Sequence, residues 1–240
     1  MCNCTYIPRS NKSFVLCSNR DEAPNRAATQ IGILKVEDRK VYFPQDKQAS
    51  GTWMAADNEG RCVCLLNGAD KKHLRADSYR ISRGLMVLDY FSFKDHVNFI
   101  AEYNFAGIEP FTMIMVKQED LTVLKWDGEK KNVAVLDPFK KYIWSSTMLY
   151  DKNQIENRKV WFSDWLKEEK FSHESIIDFH KSSFENNDGD GLIINRPGIK
   201  TLSVTSIQKK ETNSVLEYHD LKEEKIRRIT IEHQCKSRMV

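Results

Sequence analysis

Met1-Cys2-Asn3-Cys4-Thr5-Tyr6-Ile7 and Phe14-Val15-Leu16-Cys17-Ser18-Asn19-Arg20-Asp21-Glu22 are the stretch on which the reading of this chain turns. Between them lies a polar turn, Pro8-Arg9-Ser10-Asn11-Lys12. Two apolar runs flanking a Pro-containing polar turn predict a β-hairpin over 2–7 and 13–18. In that pairing the second residue of the chain lies opposite the end of the return strand, which brings Cys2 beside Asn19-Arg20-Asp21. A cysteine that follows the initiator methionine becomes the first residue once the methionine is trimmed. It then carries a thiol and a free α-amine, which titrate near about 8.5 and about 7.7–8.0 in unperturbed models. The amine can therefore act as base for the nucleophile beside it.

Working outward, the composition sets few limits. The chain has 240 residues, 40% of them hydrophobic and 30% charged, the profile of an ordinary globular protein able to bury a core without staples. The net charge of +3 is spread by alternating signs, so no concentrated positive patch points to nucleic acid. No apolar run approaches the roughly 18–20 residues of a membrane span, and Arg9 and Lys12 arrive before any signal-type apolar region. The expectation is a cytoplasmic chain with reduced cysteines.

Past the first hairpin, 31–36 and 39–43 predict a second one. Residues 49–56 predict a strand led in by Gly51, and 61–66 a strand ending at Asn67-Gly68. A helix is expected over 78–91, and a second is expected to be capped by Ser92 with Asp95 three residues on. Strands follow over 111–116, 121–126, 132–136 and 142–146. The spacing of Ile155, Val160, Trp161, Trp165 and Leu166 predicts an amphipathic helix over 153–167, and Ser172 is placed to cap another. Strands are expected again over 192–194, 201–207, 215–218 and 226–232. With no repeat or linker, the whole of 1–240 reads as one domain of sheets packed together under outer helices.

Met1-Cys2, Asn19-Arg20-Asp21-Glu22, Gly51-Thr52-Trp53, Leu66-Asn67, Ser145-Ser146 and Leu149-Tyr150 together resemble the NRDE family, also called the transport and Golgi organisation protein 2 family. Thr201-Leu202-Ser203-Val204-Thr205 and Glu217-Tyr218-His219-Asp220-Leu221 extend the likeness toward the C-terminus. That family resembles in turn the N-terminal nucleophile hydrolases of the cysteine type, among them penicillin V acylase and bile salt hydrolase. The resemblance implies an α+β fold, a four-layer αββα sandwich, and cleavage of a small non-peptide amide. It implies that Cys2 is the nucleophile, that Arg20 and Asp21 orient it, and that Asn67 donates to the oxyanion. Ser145 and Ser146 stand where the acylases place a further asparagine, Ser146 as the catalytic member, and Arg196 is the nearest match to a C-terminal arginine. Asn19, Trp53, Ser145 and Arg196 are expected to touch substrate, whose identity would be set by the loops 24–30, 44–50 and 68–77. The alternative of another class is a carrier that uses the same cleft without hydrolysis, linked through the family to haem or lipid handling.

Other patterns carry less. Cys2-x-Cys4 and Cys62-x-Cys64 have zinc-like spacing, but alternate strand residues share a face, where cysteine packs as a small hydrophobe. Asn186, Asp188, Asp190 and Gly191 open like a calcium loop whose twelfth position is Pro197, not glutamate. The six histidines show no ligand spacing. Neither a metal nor a cofactor is expected, and the oligomeric state is unreadable.

Overall fold

A computed structural model describes all residues except 1–2, 11, 27, 29, 169–170, 185–190 and 235–240. Cys2, Cys235 and the calcium-like 186–190 stretch thus lie outside the described residues.

The described residues form two antiparallel sheets of seven strands each. Sheet A contains β1 (Asn3–Pro8), β2 (Phe14–Glu22), β10 (Tyr142–Ser145), β11 (Asn195–Arg196), β12 (Ile199–Lys209), β13 (Asn213–Asp220) and β14 (Lys225–Glu232). Its order is β10-β1-β2-β12-β13-β14, with β11 pairing β12. Sheet B runs in chain order through β3 (Ile31–Val36), β4 (Arg39–Pro44), β5 (Met54–Asp57), β6 (Arg61–Asn67), β7 (Phe111–Lys117), β8 (Asp120–Trp126) and β9 (Lys131–Leu136).

Period-2 alternation sends each strand's side chains to two different layers. Cys4, Tyr6, Phe14, Leu16, Met54, Cys62, Cys64, Ile114, Ile207 and Leu216 meet between the sheets. The outer face of sheet B (Val63, Leu65, Met113, Met115) is covered by α1 (Arg83–Asp89) and α2 (His96–Glu102). The outer face of sheet A (Ile7, Val15, Cys17, Val204) is covered by α3 (Lys152–Trp165) and α4 (His173–Lys181). The result is the αββα sandwich that the family resemblance implies.

The helix starts shift. The predicted 78–91 helix begins only at Arg83, where Ser82 accepts from the Leu85 N–H, because Arg80 is bonded elsewhere, its N–H to the Gly107 carbonyl. Ser92 does not cap α2; it closes a 3-10 turn, and Asp95 takes the Asn98 N–H at 2.9 Å instead. Ser172 does cap α4, and Asp151 with Gln154 forms a capping box on α3. β5 starts at Met54 rather than 49, since Asp46 to Ser50 form a turn in which the Asp46 carboxylate accepts from the Gln48 and Ala49 N–H groups. The predicted strand at 192–194 gives way to β11 at Asn195–Arg196.

Candidate functional site

β2 ends in Asn19-Arg20-Asp21-Glu22, and the alternation of the strand splits this tetrapeptide between two faces. Arg20 faces sheet B. Its guanidinium stacks 4.6 Å over the Trp53 ring and donates to Asp46 Oδ2 at 2.5 Å and to the Arg26 carbonyl. Asp46 also receives Arg26 at 2.7 Å. Burial works to raise Asp46, but the Ala49 N–H, Arg20, Arg26 and the Gln48 N–H together hold it below the usual carboxylate range. Such a partner offsets the cost of burying a guanidinium, which stays charged. Arg20, which burial lowers, therefore stays a fixed cation at the end of β2.

Trp53 is set by its neighbours in Gly51-Thr52-Trp53. Thr52 Oγ1 donates to the Pro44 carbonyl at 2.8 Å and to the Met54 carbonyl at 2.9 Å, and the Thr52 N–H bonds the Gly84 carbonyl. A Cβ on Gly51 would lie 2.4 Å from the Gly84 carbonyl carbon, so only glycine lets this segment meet the first turn of α1.

Asp21 faces the helices of sheet A. Oδ1 accepts from Thr201 Oγ1 at 2.6 Å and Oδ2 from Tyr150 Oη at 2.7 Å. Thr201 pairs with Asp21 and Ser203 with Arg20, so Leu202 is an extra residue in β12, a bulge beside these two residues. Bulges of this kind re-aim side chains next to functional sites.

Asn19 also faces the helices, away from Arg20. Its amide donates to the His180 and Leu192 carbonyls at 2.8 and 3.1 Å, while its Oδ1 meets His180 Nδ1 at 2.5 Å. The far side of that ring meets Thr5 Oγ1 at 2.7 Å. Complete burial pushes His180 down to about 3, so the ring is neutral, donating from Nδ1 to Asn19 and accepting from Thr5 at Nε2. Expected to touch substrate, Asn19 instead pins α4 to sheet A, because its strand position turns it from the cleft.

A cleft of about 310 Å³ opens along the Arg20 face. Arg20, Trp53 and Asn67 line it, as do Arg26, Asp46, Ala49 and Arg75 from the three loops predicted to set specificity. Sequence reasoning missed Arg83 and Glu109, which close the far wall with Arg83 Nη2 at 3.0 Å from Glu109 Oε2. Nothing local marks this pair, since the partners come from a helix start and a loop 26 positions later in the sequence.

Asn67, the last residue of β6, is latched to sheet A by Ser146, whose Oγ donates to the Asn67 carbonyl at 2.7 Å. Ser145 Oγ instead donates to Asn3 Oδ1 at 2.8 Å and borders a second cleft of about 290 Å³. Arg196 lies on the helix side, its guanidinium 5.9 Å from the Tyr150 ring. The structure thus gathers Arg20, Trp53 and Asn67 on one wall, supports Asn67 from behind with Ser146, and sets Asp21, Ser145 and Arg196 on the opposite side of sheet A's edge. Among the described residues, no group of three or more His, Cys, Asp or Glu side chains is arranged to hold a metal ion. None of their helices is long and apolar enough to cross a membrane.

The family model of Transport and Golgi organisation 2 matches residues 1–232. The chain belongs to the Transport and Golgi organisation 2 family. Members of the N-terminal nucleophile hydrolase fold are its structural neighbours. A Caenorhabditis elegans N-acylethanolamine-hydrolyzing acid amidase ortholog superimposes with a TM-score of 0.59 at 12% identity, over 86% of this chain and 92% of that one. A mutant conjugated bile acid hydrolase from Clostridium perfringens gives 0.52 at 10% identity, over 95% and 92%. A second variant of the same hydrolase gives 0.53 at 10%. At these identities the likeness is one of fold. No curated protein sequence matches.

Proposed function

We propose that this family member is an amide hydrolase using Cys2 as an N-terminal nucleophile on a small N-acyl, non-peptide substrate. The observation that carries the reading is the pair at the end of β2. Arg20 is fixed as a cation by Asp46 and Trp53, and Asp21 is fixed as an acceptor by two hydroxyls. Cys2 directly precedes Asn3 in the chain. Asn3 pairs with Asn19, the residue before this pair. The fold neighbours, an N-acylethanolamine-hydrolyzing amidase and a conjugated bile acid hydrolase, support the reaction class.

In this mechanism the α-amine takes the thiol proton and the thiolate attacks the amide carbonyl carbon. Arg20 lowers the cost of the thiolate. The oxyanion accepts a hydrogen bond from Asn67, a type of contact worth about 10²–10³ in rate. As the C–N bond breaks, the ammonium gives its proton to the departing amine, leaving a thioester. Water, deprotonated by the same amine, then releases the acid and restores the thiol. The cleft volume suits a small molecule. Its lining of four arginines and three carboxylates leaves one net positive charge, compatible with a polar or singly anionic substrate end.

A carrier role is favoured by one observation: Ser146, aligned with the acylases' second asparagine, has its hydroxyl committed to the Asn67 carbonyl. Two measurements separate the readings. 2-Cyanobenzothiazole condenses only with a cysteine bearing both a free thiol and a free α-amine, so intact mass should show one adduct on the purified chain and none on Cys2→Ala. N-acylethanolamines and N-acylglycines should be hydrolysed by wild type and not by Cys2→Ala. Retained Met1 together with hydrolysis no faster than that of Cys2→Ala would overturn the hydrolase.

A further inference from the structure

We infer that Tyr150 is a positioning residue that holds Asp21 for the Cys2 amine, at the centre of a buried hydrogen-bond relay joining Ser145 to Asp21; this rests on reading Cys2 as the nucleophile. Ser145 Oγ donates to Asn3 Oδ1 at 2.8 Å, Asn3 Nδ2 donates to Tyr150 Oη at 3.2 Å, and Tyr150 Oη donates to Asp21 Oδ2 at 2.7 Å. Each donor faces an acceptor in a single direction, so the relay has one polarity and ends on a charge. It begins at Ser145, passes through the side chain of Asn3, the residue that follows Cys2 in the chain, and ends on the acidic residue of the β2 pair. The start of β1 and Asp21 are thereby fixed relative to each other through one phenol.

The phenol is itself held. Arg158, fully buried on α3, lies 3.6 Å from the Tyr150 ring centroid. Its Nη1 and Nη2 donate to the Gln154 and Gly191 carbonyls at 2.8 Å each. A guanidinium so placed gains from the ring face and restrains it. Arg196 stands farther from the same ring. Tyr150 also starts the turn into α3, its N–H bonded to the Ser146 carbonyl, so the residue that latches Asn67 and the one that holds Asp21 share one turn. The charged groups around the relay are Arg158 and Arg196 against the ring, and Arg20, adjacent to Asp21 but on the other face of β2.

The test is the pH profile of Cys2 alkylation by iodoacetamide, read by peptide mass, which needs no substrate. An Asp21 carboxylate that loses its Tyr150 donor is less firmly placed to hold the ammonium, and a weaker ammonium stabilises the thiolate less. Tyr150→Phe, which keeps the ring over Arg158, should raise the pH of half-maximal alkylation by about one unit and slow the reaction near pH 7 up to about tenfold. Thr201→Val removes the other donor to Asp21 and should act in the same direction; Thr201→Ser, retaining the hydroxyl, should restore the wild-type profile. Tyr103→Phe is the control, since Tyr103 Oη donates to Asp89 at the same 2.7 Å far from this site. It should lose comparable thermal stability without moving the profile. A Tyr150→Phe profile superimposable on wild type overturns the positioning role alone. If Tyr150→Phe does not fold, an unmoved Thr201→Val profile does the same. An ordinary cysteine profile in wild type overturns the nucleophile reading first, and this role with it.

Discussion

Gly51 shows how a single residue can be legible in sequence for its type and not for its reason. Its place before Thr52-Trp53 was readable as a motif, whereas the cause is the backbone of Gly84 pressed against it from α1. Gly51→Ala should therefore cost on the order of 1–3 kcal/mol, because the clash is with main chain that cannot rotate away. A lower urea midpoint at unchanged slope would register it; a loss below about 0.5 kcal/mol would show that α1 moves freely. Arg20 and Asp21 are adjacent letters with separate surroundings, since a strand turns neighbours to opposite faces. The tetrapeptide named their types. Only the pairing of β12 and the loop carrying Asp46 shows that one meets hydroxyls and the other a carboxylate.

At the scale of elements, α4 is tied to β1 and β2 through His180, Asn19 and Thr5. His180 titrates near about 3 in the fold against about 6.5 unfolded, so between those values the unfolded chain binds a proton that the native state refuses. Its contribution is fully present above about pH 6.5 and is lost as pH falls toward 3, on the order of 1 kcal/mol per unit. His173, His219 and His233, lowered by partial burial, act in the same direction more weakly. Urea unfolding at pH 7 and pH 4.5 should show the decline, and His180→Gln should flatten part of it; an equal slope in that variant would mean other groups govern it. Ser172 marked the start of this helix in the sequence, but not that a histidine on it would be sealed against an asparagine 161 positions earlier.

Across the whole molecule, the sandwich leaves no water near most thiols. Cys4, Cys17, Cys62 and Cys64 have no exposed surface. Burial pushes Cys4, Cys17 and Cys62 up, Cys4 further through its contact with Cys64. Under native conditions at pH 8 none of these four should react with iodoacetamide within the time that modifies Cys2, and all should react in guanidinium. Labelling of Cys62 in the native protein would contradict an inter-sheet layer of this tightness. Cys4, Cys62 and Cys64 thus contribute small apolar side chains to the layer between the sheets.

By itself the sequence determined most of the strands and the outer helices, which follow from local periodicity, while the αββα class was legible through the family resemblance of its motifs. Only the tertiary structure decided that Asn19 serves α4 rather than the cleft, that Ser146 supports Asn67 from behind, that Arg83 and Glu109 complete the wall, and that Tyr150 holds Asp21. Each of these depends on partners brought together by sheet order and a bulge. A hydrogen bond between residues 129 apart, such as that from Tyr150 to Asp21, leaves no periodic trace in the chain that forms it.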